Sequence, residues 1–180
     1  MREIALHILD IVQNSVAAGA GIIDIAIRED RAADTLAVTI ADDGRGMDAE
    51  TVARVTDPFY TTRTTRKVGL GLPMLKTTAI ACDGDFAIDS RVGEGTTVSV
   101  SYRWSHIDRP PLGDMVSTML TVLLGDETKE IRYSHSDGDR VFAFASADMR
   151  EALDGLSFQT PEVYAWLQEF LTEGEESLSG

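Results

Sequence analysis

Asp10 and Asn14 stand four residues apart, so on a helix both side chains reach the same place. An amide oxygen suits a hard cation such as Mg2+, and an acid beside it can order a water or take a proton. Further on, Asp42 closes an apolar strand and leads into Asp43-Gly44-Arg45-Gly46. A carboxylate at a strand end can accept a hydrogen bond from an exocyclic amine, and Gly44 and Gly46 let backbone approach a flat base closely. A third segment, Thr61 to Lys67, holds four threonines, Arg63, Arg66 and Lys67, and no acid; Gly69-Leu70-Gly71-Leu72 follow it and open a helix. Bare N–H groups at a helix N-terminus favour phosphate, and the loop before them reads as a lid over phosphates. The fourth segment, Gly93-Glu94-Gly95-Thr96-Thr97, lies between two strands. Taken singly, each is ordinary: a polar stripe can face solvent, glycine-bearing acidic turns are common, a basic loop can be plain surface, and a Gly-Glu-Gly hairpin needs no function.

The elements that must position these residues follow from periodicity. Ala5, Ile8, Leu9, Ile11, Val12 and Val16 recur at helical spacing from about Glu3 to Ala18, and Gly19 and Gly21 stop that helix. At ~100° per residue, Glu3, His7, Asp10 and Asn14 fall in a polar stripe roughly 60° wide. Ile23, Ile25 and Ile27 alternate with polar or small residues as a half-buried strand does, and Leu36, Val38 and Ile40 repeat the pattern. Asp48 can cap a short helix through Val55, and another helix spans about Leu70 to Ala81 with Pro73 in its first turn. Phe86 and Ile88, then Val98, Val100, Tyr102 and Trp104, mark two strands. The sum is an α+β fold: a two-layer α/β sandwich with a mostly antiparallel sheet and helices on one face.

Pro110-Pro111 marks the best boundary, giving residues 1–104 as the main domain and 105–180 as an acidic C-terminal α+β appendix. In the appendix we expect a helix near Gly113 to Leu124 and a hairpin turning at Asp137-Gly138. A helix capped by Ser146 and ending at Gly155 comes next, then a last helix from Thr160 with the stripe Val163, Trp166, Leu167, Phe170 and Leu171. The tail from Gly174 is expected to fray. Net charge is −14, with 15 acidic against 11 basic residues up to Trp104 and 15 against 5 beyond it. That balance excludes nonspecific binding to nucleic acid or anionic membrane, and it makes the second part either a solubilising surface or a match for a basic partner. Cys82 is the one cysteine, no segment reads as a signal peptide, and Met115 to Leu124 is too short to span a bilayer; we expect a cytoplasmic protein.

In order, Asp10-xxx-Asn14, Asp42-x-Gly44-x-Gly46, Pro58-Phe59 with Gly69-x-Gly71, and Gly93-x-Gly95-Thr96 match the N box and the successive glycine boxes of the GHKL ATPases. That superfamily includes histidine kinases, MutL and gyrase, and the resemblance covers about residues 3 to 104. It implies the Bergerat sandwich and binding of ATP with Mg2+. Under it Asn14 resembles the Mg2+ ligand, and Asp42 the aspartate that reads adenine, supported by Thr96 through a water. Gly44, Gly46, Gly69, Leu70 and Gly71 resemble the backbone cradle, and Thr62, Arg63, Arg66 and Lys67 occupy the lid. Asp10 takes the place of the catalytic acid.

The departures matter as much. Many histidine kinases carry asparagine where this chain has Asp10, and a basic residue where it has Ala17. An acid at that position resembles MutL, gyrase and the anti-sigma-factor kinases, although those use glutamate. Gln13-Asn14-Ser15 through Ala18-Gly19-Ala20 is also MutL-like, whereas Pro58 to Thr62 with Gly69 to Leu72 is closer to a histidine kinase. His7, His106 and His135 do not stand in for the phosphoacceptor of a histidine-kinase hairpin, and no transducer lysine is evident in the acidic part. The resemblance thus implies a stand-alone ATP-binding protein. Its use is a regulatory protein kinase acting in trans on a partner protein or phosphoacceptor, a slow ATPase switch gating a partner, or an adenine-nucleotide sensor without turnover. A homodimer is left open.

Overall fold

Helix α1, Ile4–Ala17, buries Ile4, Ala5, Ile8, Ile11 and Val12 along one side. The structure, a computed structural model, describes residues 3–57 and 71–179. The expected lid residues Thr62, Arg63, Arg66 and Lys67, and Gly69 and Leu70 of the cradle, lie outside the described residues. Gly19, at φ 77°, ends α1 in the left-handed conformation that glycine adopts without cost. The Ala20 amide then reaches back to the Ser15 carbonyl at 3.1 Å and the Gly19 amide to Val16 at 3.0 Å, satisfying carbonyls the helix leaves open.

Strands β1 (Ile22–Asp30) and β2 (Thr35–Asp42), helices α2 (Ala49–Val55) and α3 (Gly71–Ala81), and strands β3 (Phe86–Arg91) and β4 (Gly95–Arg103) follow in turn. Asp48 caps α2 by accepting from the Thr51 amide at 2.8 Å. Then come α4 (Met115–Gly125), β5 (Glu130–Asp137), β6 (Arg140–Ala145), α5 (Ser146–Ala152) and α6 (Pro161–Glu176). One six-stranded sheet runs β3-β4-β2-β1-β5-β6, antiparallel except where β5 lies parallel to β1. Alternate residues of the central strands, among them Ile23, Ile25, Ile27, Leu36, Val38, Ile40, Val98, Val100, Ile131 and Tyr133, are buried, while α1, α3, α4 and α6 pack beside one another as the second layer. The expected α+β sandwich is thus present. Among the described residues no helix is long and apolar enough to cross a membrane.

Residues 105–179 continue this sheet and its core. The stretch before α4 is fastened to the start of α1, whose Ile4 and Ala5 amides donate to the carbonyls of Pro111 at 3.0 Å and Leu112 at 2.8 Å. Those amides have no partner within the helix, so the connector does the work of a cap. Three local expectations need correction. The hairpin turns at Gly138-Asp139, one residue late: Asp137 still pairs with Arg140, and Gly138 takes the positive φ, 62°, at the first turn position. Ser146 is the first residue of α5 and does not cap it; its hydroxyl accepts from the Ile131 amide at 2.8 Å and so ties α5 to β5. The tail does not fray at Gly174, because α6 runs to Glu176 and Leu178 is buried. A Cβ at Gly174 would meet the Phe142 ring at 2.3 Å, so the glycine is what lets α6 settle on β6.

The end of α6 is further held by a polar cluster. His135 of β5 sits between two carboxylates, with Nε2 2.9 Å from Glu29 of β1 and Nδ1 2.7 Å from Glu175 of α6. The Tyr133 hydroxyl donates to Glu175 at 2.6 Å, and the Trp104 indole to Glu29 at 3.1 Å. Burial works against charge on His135, but the hydrogen bonds and charges of Glu175 and Glu29 outweigh it and raise its pKa to about 9. The bond from His135 in turn holds the Glu29 carboxyl below the usual range. Both groups are therefore ionised together near neutral pH.

A sign follows for stability. The contribution of His135 is complete below the ordinary histidine pKa of ~6.5 and is lost as pH rises through its raised value. That of Glu29 is present above the carboxylate range and is lost in acid. We expect His135→Ala to lower the unfolding free energy in urea by about 2 kcal/mol at pH 7, because two half-buried acids lose their shared cation. We also expect the parent's melting temperature to fall between pH 7 and 10 more steeply than the variant's; parallel profiles would contradict the assignment.

Candidate functional site

The C-terminal half of α1, the end of β2 and the start of α3 converge. The polar stripe of α1 is not open surface: His7 is buried, and Glu3, Asp10 and Asn14 are half-buried. Asp10 faces α3, since a Cβ on Gly71 would stand 3.1 Å from the Asp10 Cβ and 3.4 Å from its Oδ2. Gly71 is the first described residue of α3, so Asp10 lies against that helix. Asn14 follows one turn later on the same side of α1.

Asp42 is aimed from the other direction. Its Oδ2 accepts from the Ser15 hydroxyl at 2.6 Å, and its Oδ1 from the Gly44 amide at 2.9 Å. Thr96 of β4 is its register partner across the antiparallel pair, on the same face of the sheet. The Thr96 hydroxyl meets that of Ser90 at 2.7 Å, and the Ser90 oxygen accepts from the Met47 amide at 2.8 Å. Asp42, Gly95 and Thr96 border an open hollow of about 250 Å3. Asp43 turns away and fastens the loop: its Oδ1 accepts from the amides of Gly21 at 2.7 Å and Ile22 at 2.9 Å. Those bonds, that from Ile22 foremost, keep its carboxyl below the usual range.

The glycines serve protein packing first. Gly46 has φ 70°, and a Cβ there would fall 1.9 Å from the Arg91 carbonyl oxygen. Gly95, at φ 119°, would place a Cβ 2.0 Å from the Asp42 carbonyl oxygen. At Gly44 the nearest atoms, at 3.0 Å, belong to Ala18 and Asp42. The reason first given for Gly44 and Gly46, close approach of a base, is therefore joined by a stronger one. The loop threads between the end of α1 and the β3–β4 turn, with the Arg45 amide on the Ala18 carbonyl at 2.9 Å and the Gly93 amide on the Arg45 carbonyl at 2.6 Å. Of the sequence-predicted residues, Asp10, Asn14, Asp42, Gly44, Gly46, Gly71 and Thr96 fall at this one end of the sandwich. Ser15 and Ser90 were missed; adjacency to Asn14, and register with Thr96, were the available signals.

Residues 2–105 match the family described as Histidine kinase-, DNA gyrase B-, and HSP90-like ATPase. The chain belongs to this family. It is 30% identical over 125 residues to the Non-motile and phage-resistance protein of Caulobacter vibrioides, covering 64% of this chain and 15% of that one. It is 37% identical over 93 residues to the Sensor protein kinase FleS of Pseudomonas aeruginosa, covering 52% and 23%. The chain thus spans less than a quarter of the length of either relative. Among solved structures, the Aquifex aeolicus MutL ATPase domain complexed with ADP superposes with a TM-score of 0.49 at 16% identity, covering 73% of this chain and 59% of that one.

The glycine geometry can be checked against a control within the protein. Gly93 also has positive φ, 81°, but a Cβ there would meet nothing within 4 Å. Gly93→Ala should cost only the left-handed backbone, ~1–2 kcal/mol. Gly46→Ala adds a backbone collision and should cost more, about 3 kcal/mol or above, by urea denaturation. Equal losses would mean that the loop does not pack as described.

Proposed function

We propose that this chain binds Mg-ATP at the Asp10–Asn14–Asp42 end of the sandwich and acts as a regulatory protein kinase in trans on a partner protein. The observation that carries the reading is the fixed carboxylate of Asp42, held by Ser15 and Gly44 at a strand end while Asp10 stands beside the first described residue of α3. The Asp42 carboxylate is oriented to accept from the adenine amine, with Thr96 as its neighbour. The residues also fit the metal: Asn14 supplies a hard amide oxygen, as suits an ion held largely by phosphate and water. When bound, Mg2+ would screen the charge of the phosphates. Thr62, Arg63, Arg66, Lys67, Gly69 and Leu70 complete the phosphate side in this reading.

Asp10 then has one task. It orients the attacking hydroxyl and takes its proton as the oxygen bonds to the γ-phosphorus and ADP departs. Positioned base catalysis of this kind is worth ~10²–10⁴ in rate. Aspartate is about one methylene shorter than the glutamate of hydrolytic relatives, and a misplacement of that order costs ~100-fold. Turnover without a partner is therefore slow. The same base would serve water as well as a hydroxyl, which keeps the ATPase switch as the second reading; label on the partner or free phosphate separates the two.

Guanine places a carbonyl opposite Asp42, so two acceptors would face each other at a cost of ~1–3 kcal/mol. By calorimetry ATP should bind about tenfold tighter than GTP, and Asp42→Asn should erase most of that preference; equal affinity of the parent for both nucleotides contradicts the site. Asp10→Asn keeps the size of the side chain and removes the base. It should leave Mg-ATP affinity within about threefold while abolishing turnover, because a group used only in the transition state alters rate and not ground-state binding. An unchanged rate in single-turnover assays with γ-labelled ATP would remove Asp10 from the mechanism.

A further inference from the structure

The two edges of the sheet are finished differently. Edge strand β3 carries Asp89 and Arg91 and has α2 packed against it. Edge strand β6 reads Arg-Val-Phe-Ala-Phe-Ala: beyond Arg140, five residues without charge, proline or glycine. One side of β6 is paired with β5 from Asp137↔Arg140 to Arg132↔Ala145. Among the described residues, no backbone hydrogen bond reaches its other side. Val141 is 63% exposed, and Ala143 beside it on that face is exposed too. Charge, proline and bulges are the usual guards of such an edge, and over these residues none is present.

On the helix side the same edge is bordered by aromatic rings. Phe144 lies 5.9 Å from Phe170 of α6, and Phe170 stacks on Trp166 at 5.3 Å, with Trp166 41% exposed. At ~100° per residue, Glu162, Trp166, Glu169 and Glu173 share a strip of α6 about 60° wide. All four are exposed, and among the described residues no cation pairs with the three glutamates. One indole and three carboxylates thus share a strip of α6, and its Trp166 stacks on Phe170, the ring beside Phe144 of the open strand.

We propose that β6 receives an extended segment of a partner protein, added as a seventh strand, in which apolar residues alternate with lysine or arginine. Main-chain hydrogen bonds to the open edge supply the binding, and the side chains select the occupant. Inward apolar side chains of the added strand lie against Phe144, Phe170 and Trp166. Its cations meet the glutamate strip, and aliphatic stems of lysine and arginine cover indole well. A second copy of this chain is the wrong occupant. Pairing β6 with β6 about a twofold axis sets the two α6 helices on the same side of the joined sheet, so two glutamate strips on chains of net charge −14 each would face one another. This inference goes beyond the nucleotide reading and holds whether or not ATP is turned over.

The test uses the full chain and two short synthetic peptides with blocked ends, one alternating lysine with valine and one alternating glutamate with valine. The lysine peptide should bind about tenfold or more tighter than the glutamate peptide, as judged by calorimetry, and should weaken with added salt. It should also slow hydrogen exchange of amides within 141–145. The triple change Glu162→Gln, Glu169→Gln, Glu173→Gln touches only exposed positions and should cost most of the preference while keeping the fold. Failure of the lysine peptide to bind overturns the proposal. So does equal binding of both peptides, protection located elsewhere on the acidic surface, or a peptide-free dimer in ultracentrifugation that protects the same amides.

Discussion

The Asp42 carboxylate is held by one bond from α1, through the Ser15 hydroxyl, and one from its own loop, through the Gly44 amide. Most of the architecture at this end of the sandwich follows from satisfying that arrangement. Ser15 can reach Asp42 only because α1 lies across the end of β2, where Gly19 terminates it and Ala18 offers its carbonyl to the Arg45 amide. The loop that leaves Asp42 must then pass between Ala18 and the β3–β4 turn. It does so at separations that no side chain allows at Gly46 or Gly95. A carboxylate with both oxygens engaged by fixed donors has little freedom to turn, and such pre-orientation is what a recognition site requires of its reading group.

Helix α1 joins the two halves of the chain. One side enters the core and packs against β2. Another carries Asp10 toward α3 and Ser15 toward Asp42. Its first amides are held by Pro111 and Leu112, and α4 packs alongside it. The C-terminal residues therefore bear on the same helix that carries the candidate base and metal ligand, while β5 covers the β1 edge that a shorter chain would leave open. The charge follows this division: the first 104 residues hold 15 acids against 11 bases, whereas those beyond hold 15 against 5 and carry the exposed Glu162, Glu169 and Glu173 of α6.

The elements were legible because their signals were local. The isoleucines of β1 alternate, α1 repeats at helical spacing, and Asp48 and Thr160 stand where helices begin. What escaped depended on contacts between distant residues. Nothing near Gly174 says that Phe142 fills the space beside it, so a glycine in an acidic tail read as an end. Ser146 looks in sequence like the cap of a helix, but it is the first residue of α5, and the amide it serves belongs to Ile131, fifteen residues earlier. The parallel pairing of β5 with β1 carries no mark in either strand. The order of the candidate residues along the chain grouped Asp10, Asn14, Asp42, Gly44, Gly46, Gly71 and Thr96, and these meet at one end of the sandwich. The reason for the glycines was only half readable: positive φ at Gly46 and its collision with Arg91 belong to the folded backbone.

In the function proposed, nucleotide enters between α1, the end of β2 and the start of α3. Hydrogen exchange, measured with and without saturating Mg2+ and a non-hydrolysable ATP analogue, tests it most directly, because it reads every segment at once and needs no turnover. Exchange should slow at the amides of Gly44 to Met47, along α3 from Gly71, and at Thr96, with β5 and β6 unchanged. Protection confined to the β5–β6 end, or none under conditions where the analogue is shown to bind, would contradict it.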